Sequence, residues 1–310
     1  MARDKKDTKI YHELPLTAVE KIQSEIGQGH DVRAPLLRAI SEAFKCSVLS
    51  FYTTHLHWQG TIMDGDAVMI KDILGAIGPI TDLLLIIDSP GGDPHEAERI
   101  IKVCRELSSG NFKTLVPNKA KSAATMVCLG SEEVHMTSTS ELGPVDVQVP
   151  WGERLLPAHL VIKSYEELME KCSNTPFDKR VEPFLQQLQK YDAAQIESLR
   201  LARDLAQEIA KKSLIDGMMR KAKKAEVVKI LRQFLDPEEL KSHGRPIFYT
   251  DIKKVDRNEM FKVNCIPADS VVYPMIHEYH HRTVAHMAMN NLTKLCETVH
   301  TSFSAKIITG

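Results

Sequence analysis

Leu83-Leu84-Leu85-Ile86-Ile87-Asp88-Ser89-Pro90-Gly91-Gly92 runs from five consecutive aliphatic residues straight into a turn. Five such side chains leave no polar face, so a strand made of them must be covered on both sides, as the central strand of a parallel sheet is. It is the longest apolar run in the chain and falls far short of the ~18 to 20 residues that span a bilayer. The pattern alternates outward from it. Helical spacing covers Asp66 to Ile77 before it and Pro94 to Leu107 after it. A strand at Lys113 to Val116, a helix from Ser122 to Leu129 and a strand at Glu133 to Met136 follow, and an earlier strand lies at Ser47 to Tyr52. Ala97, Ile100, Ile101, Cys104 and Leu107 share one helix face and can pack back on the apolar strand. Strands alternating with helices predict an α/β domain.

The flanks read differently. Residues 1–45 have polar, helix-like spacing and predict an N-terminal helical arm, and residues 46–178 form the α/β core. Residues 179–241 carry an interrupted stripe from Leu185 to Ile209, expected as a helical hairpin extension. Within it Lys211, Lys212, Arg220, Lys221, Lys223 and Lys224 make a basic cluster, read as a solvated face, with a docking surface for an acidic partner as the alternative. Residues 242–310 complete the domain and end in a histidine-rich helix near 274–299.

The 310 residues carry 40 basic and 41 acidic side chains, a net charge of −1, so no whole-chain field draws the protein to nucleic acid or an anionic membrane. Six scattered cysteines show no CxxC spacing, and the N-terminus leads into no apolar signal segment. These features predict a cytoplasmic protein with no transmembrane segment.

The chemistry concentrates around Ser122, in Lys119-Ala120-Lys121-Ser122-Ala123-Ala124-Thr125. Acyl transfer needs a nucleophile on a sharp turn or helix start, a proton acceptor, and backbone N–H groups aimed at the developing oxyanion. Ser122 opens an apolar helix, at the positive end of its dipole, with the Ala123 N–H beside it. Gly91 and Gly92 follow a buried strand and lack side chains that would keep a substrate carbonyl away, so their N–H groups, or that of Asp93, are candidate donors. A serine in this position is more often a plain helix cap.

The run Asp88–Gly92, then Lys121-Ser122-Ala123-Ala124 about 30 residues on, then Ser140-Glu141-Leu142-Gly143-Pro144-Val145-Asp146, resembles the ClpP-like serine peptidases. Within these it is most similar to the serine dehydrogenase proteinase family, near signal peptide peptidase A. The resemblance is clearest over residues 80–150. It implies a ClpP/crotonase-like spiral of ββα units, a nucleophile at Ser122, an oxyanion hole from the backbone around Gly91, Gly92 and Ala123, a peptide or protein substrate, no cofactor, and a homo-oligomer. The absence of a Walker A loop means that any ATPase partner would be a separate chain.

The proton acceptor is where this pattern departs. The spacing of the ClpP histidine lands at Asp146, and an aspartate with a reference pKa of ~3.9 is too weak a base for a serine hydroxyl. His243, in Ser242-His243-Gly244-Arg245-Pro246, is the first candidate, with Asp146 holding its imidazole as a triad carboxylate does. Lys121 or Lys119, as in a Ser–Lys dyad, is the second, although Lys121 adjoins Ser122 and helical neighbours do not face each other. His135 is the third. With no competent base the chain would be a silent oligomeric scaffold. A crotonase-like acyl-CoA enzyme would use the same oxyanion donors on a thioester.

A separate pattern, His277-Glu278-Tyr279-His280-His281, matches the HExxH arrangement in which two histidines one helical turn apart bind zinc and the glutamate activates water. No third ligand is evident, since Glu297 and His300 belong to no second motif, and the surrounding helix also reads as a packing helix. The expectation is therefore no metal, with a zinc metallopeptidase at His277, Glu278 and His281 as the alternative.

Overall fold

The computed structural model describes residues 17–25, 28–151, 154–176, 179–236, 244–256 and 259–307. His243 lies outside the described residues.

The aliphatic run is strand β2 (Leu83–Asp88), buried at all six positions. It lies between β1 (Ser47–Thr53) and β3 (Phe112–Val116), parallel to both. Two more parallel strands, β5 (Glu133–Thr137) and β10 (Val263–Ile266), extend the sheet beyond β3, while β11 (Leu292–Glu297) and β12 (Ser302–Lys306) add antiparallel on the side of β1. Among the described residues this gives one mixed seven-stranded sheet in the order β10-β5-β3-β2-β1-β11-β12.

Alternate side chains feed two cores. Leu49, Phe51, Leu83, Leu85 and Ile87 face α3 (Asp66–Ile77), α4 (Pro94–Leu107) and α5 (Ala123–Leu129). Val48, Tyr52, Leu84 and Ile86 face α2 (His30–Phe44) and the C-terminal helix. Full burial of each aliphatic chain contributes about 2 kcal/mol, which both faces of β2 collect.

A second, smaller layer crosses the carboxyl ends of the parallel strands. Strands β4 (Lys119–Ala120), β6 (Glu141–Leu142) and β9 (Ile247–Phe248) form its ladder, and single parallel bridges continue it through Ser89–Ala120 and Ile62–Gly92. The connections from β1, β2 and β3 into their helices thus pass through this layer at Ile62, at Ser89 to Gly92, and at β4.

The hairpin β7 (Gln148–Trp151) and β8 (Arg154–Pro157) leads to α6 (Ala158–Asn174), α7 (Glu182–Leu188), the 24-residue α8 (Ala193–Asp216) and α9 (Lys224–Leu235). Ala206, Ile209, Ala210 and Leu214 of α8 enter the same core as α4 and α5. The short α10 (Tyr249–Val255) precedes β10, and α1 (Ala18–Ser24) precedes α2.

The C-terminal segment differs from its helical expectation. Helix α11 (Tyr273–Met289) ends at Asn290 and Asn291, the latter at φ 52°, and Leu292–Glu297 continues as a fully buried strand. Its polar residues are paired where helical periodicity could not show it: Lys294 Nζ lies 2.6 Å from both oxygens of Asp66, and Glu297 pairs with Arg33 of α2. Burial without such partners would be prohibitive. Among the described residues no helix is long and apolar enough to cross a membrane.

Candidate active site

Ser122 occupies the turn between β4 and α5 at φ 47°, ψ −117°, a region that costs a non-glycine residue about 1–3 kcal/mol. It stands at the N-cap position of α5, but its side chain makes no capping bond, and among the described residues no hydrogen bond engages its hydroxyl. The strand-to-helix turn is held from both sides. Lys121 N–H donates to Ser89 O (3.0 Å) and Ser89 N–H to Lys119 O (3.1 Å). Thr125 Oγ1 donates to Ala120 O (2.8 Å) and accepts Gly143 N–H (3.1 Å).

Gly91, at φ 102°, packs directly on this turn. A Cβ there would lie 2.7 Å from Ser122 Cβ and 2.6 Å from Lys121 O. Gly92, at φ 148°, is equally constrained, since its Cβ would fall 2.1 Å from Ile62 O. The donor assignment sharpens here. Gly91 N–H is occupied by Ser89 Oγ (3.1 Å) and Asp93 N–H by Ile62 O (2.8 Å). The N–H groups of Gly92 and Ala123 carry no hydrogen bond among the described residues. Gly91 therefore works as a spacer that lets the two segments touch, and the unengaged donors are one residue further along each.

These groups open into a cleft of about 490 Å³. Its lining comes from Pro90, Gly91, Gly92, Pro94 and His95, from Ser122 and Met126, and from Asp146, Val147, Ala202, Leu205 and Ala206. Helix α8 thus contributes a wall, which the sequence did not signal, because residues 202–206 read only as part of an amphipathic stripe.

The candidate acceptors are dispersed. Asp146 lines the cleft, receives Gln148 Nε2 (3.3 Å), and has Oδ2 3.7 Å from His159 Nδ1. Burial pushes the His159 imidazole below its usual value, Lys163 and Arg203 act in the same direction, and Asp146 opposes them. The sequence reading missed His159, 13 residues beyond Asp146 and across a hairpin, and it missed His95, whose only signal was its place three residues after Gly92. Lys121 does not line the cleft; its ammonium lies 2.7 Å from Glu141 Oε1. Lys119 contributes its backbone N–H to Asp88 Oδ2 (3.1 Å). His135 is on the far face of the sheet, edge-on to Phe44 of α2 with ring centroids 4.9 Å apart. Burial pushes the Cys104 and Cys128 thiols up to about 12, so neither offers a thiolate.

The His277–His281 run is also on that far face, on α11. Glu278 receives Lys21 Nζ (2.9 Å) and Arg282 Nε (2.9 Å) and Nη2 (2.8 Å). Burial would raise this carboxyl, but those bonds outweigh it and hold it below its usual value. His281 Nδ1 donates to His277 O (2.9 Å). No group of three or more His, Cys, Asp or Glu among the described residues is arranged to hold a metal ion.

No family model matches the chain. A 90-residue stretch is 30% identical to uncharacterized protein MJ1495 of Methanocaldococcus jannaschii, covering 29% of this chain and 29% of that protein's length. Among solved structures, a mutant of the 1510-N membrane-bound stomatin-specific protease is similar at a TM-score of 0.28 and 14% identity, over 37% of this chain and 61% of that one. The α/β architecture and the cleft at Ser122 therefore stand on the geometry of the chain itself.

Proposed function

We propose that this protein is a serine endopeptidase of the Clp-fold type that cleaves peptide bonds through an acyl-enzyme on Ser122. The observation that carries the reading is the strained Ser122 backbone with an unengaged hydroxyl, set against Gly91 and beside two unengaged N–H groups. In this mechanism the hydroxyl attacks the scissile carbonyl, and the N–H groups of Gly92 and Ala123 receive the charge that develops on its oxygen. Met126, Val147, Leu205 and Ala206 fit an apolar side chain next to the scissile bond. The connections through the second layer support a ClpP/crotonase-like spiral, since β1, β2 and β3 each pass through it before their helices. A homo-oligomer in the cytoplasm belongs to the same reading.

In this reading the serine proton passes to a histidine. His243, from the sequence, and His159, 3.7 Å from Asp146, are the two imidazoles that substitution separates, and the Glu141 ion pair directs the Lys121 side chain away from this role. Incubation with a fluorophosphonate, followed by peptide mass analysis, is expected to modify Ser122 in the folded protein and not in Ser122→Ala. An unmodified Ser122 overturns the reading. One observation favours a second one, the silent scaffold: among the described residues no base bonds the Ser122 hydroxyl. The same labelling decides between them.

A further inference from the structure

Asp88 ends β2 with its side chain 3% exposed, turned to the sheet face opposite the cleft, among Tyr52, His55 and His280. We propose that Asp88 is a positioning residue for the acyl-transfer site, one carboxylate that sets the oxyanion segment and the nucleophile segment in register. The proposal rests on the reading of Ser122 as nucleophile.

Its bonds go to the segments that frame the site. Oδ2 accepts Lys119 N–H (3.1 Å), one step before the ladder in which Ser89 donates its N–H to Lys119 O and accepts Lys121 N–H. Ser122 follows that ladder directly, and Gly92 lies four residues beyond Asp88 on the other side. Oδ1 accepts from His55 Nε2 (2.8 Å); a carboxylate can only accept, which puts the His55 proton on Nε2. His55 opens the loop whose far end, Ile62, donates its N–H to Gly91 O (2.7 Å) and accepts Asp93 N–H (2.8 Å). Three segments that must agree to within a fraction of an ångström at Gly92 and Ala123 therefore converge on one side chain. His280 Nδ1, 3.9 Å from Oδ2, is outside hydrogen-bond range and is engaged by Tyr52 O–H at 3.3 Å. A buried carboxylate is a costly way to fill this space unless every oxygen is bonded, and both are.

The geometry separates two substitutions. In Asp88→Asn the amide oxygen still accepts Lys119 N–H, and its NH₂ donates to His55 once that imidazole carries its proton on Nδ1. Asp88→Ala loses both bonds. With a fluorophosphonate as probe, Asp88→Ala is expected to lower the maximal labelling rate of Ser122 by about 100-fold, the cost of a misplacement near 1 Å, at an unchanged half-saturating concentration. Asp88→Asn is expected within about threefold of the parent. Amide hydrogen exchange over residues 88–93 and 117–126 is expected to quicken in Asp88→Ala and not in Asp88→Asn, with α6 and α8 unchanged.

Labelling of Asp88→Ala at the parent rate overturns the proposal. So does an Asp88→Asn as slow as Asp88→Ala, or an exchange increase spread over the whole chain. Should Asp88→Ala fail to fold, His55→Ala keeps the Lys119 bond and is expected to lose about tenfold in labelling rate, with parent-like labelling overturning the proposal. A parent protein that does not label at Ser122 sinks the nucleophile reading instead, while the exchange comparison still decides whether Asp88 sets the register.

Discussion

Ser122 and the run His277–His281 are the two places where the chain carries a hydrolase pattern, and they lie on opposite faces of the sheet. On the α11 face the groups that a zinc hydrolase would use, Glu278, His280 and His281, are already engaged. Glu278 is held by Lys21 and Arg282, His281 by the His277 carbonyl, and His280 by Tyr52. On the cleft face a hydroxyl and two N–H groups have no hydrogen bond among the described residues, and the serine is held in a backbone conformation that its neighbours must enforce. Polar groups near a core are normally paired. What distinguishes a candidate site here is the set of groups left free at one point, more than the residue types present.

The strongest way to break this contrast is at the serine. Ser122→Ala is expected to reduce peptide hydrolysis by a factor on the order of 10⁶. Ser122→Gly is expected to be equally inactive and yet more stable by about 1 kcal/mol, because glycine relieves the positive φ. Chemical denaturation of the two variants checks this, and a destabilised Ser122→Gly would remove backbone strain from the account.

Gly91→Ala comes next. Its methyl would meet Lys121 O and Ser122 Cβ inside 3 Å at a φ of 102°, so a loss of about 2–4 kcal/mol in stability is expected, together with a fall in labelling rate of about 100-fold.

A third test addresses the α11 face. Burial brings the His280 imidazole down to about 4 from its usual 6.5, with Asp88 opposing the shift. Between those values the unfolded chain takes up a proton that the folded one refuses, so stability is full above about pH 6.5 and falls as pH drops to about 4. The contribution is roughly 3 kcal/mol, and His280→Gln is expected to flatten that part of the pH–stability curve.

Glu278→Gln marks the small end. It removes a partly exposed ion pair to Lys21 and one to buried Arg282, which keeps Glu25 and Gln28 as partners, so a loss of about 1–2 kcal/mol is expected with Ser122 labelling untouched. Dialysis against a chelator should do the same. Loss of activity in either case would restore the zinc alternative.

The α/β core was legible because its signals are local and redundant. The Asp66–Ile77 and Pro94–Leu107 helices and the Leu83–Asp88 strand fall where periodicity places them, and the Ser122 turn coincides with a change from polar to apolar. Strand β11 was not legible, because Lys294 and Glu297 read as surface residues until Asp66 and Arg33 meet them across more than 200 positions. The site was legible only in part for the same reason. Ser122, Gly92 and Asp146 stand in compact runs, whereas which N–H groups remain free depends on Ile62 and Ser89, and the acceptor on pairings such as Asp146 with His159. Periodicity reports what a residue is near along the chain and says nothing of partners brought in by the fold.

The wall that α8 lends to the cleft separates the recognisable signature from the working pocket. A fragment cut to residues 47–151 would keep four of the five parallel strands, Ser122 and both glycines, yet it would present an open trough with one bank missing. Ala202, Leu205 and Ala206 enter from a helix that begins more than forty residues after that fragment ends. Grafting a different helix in place of α8 is thus a route to altering which side chains the trough admits without touching the residues that perform the chemistry.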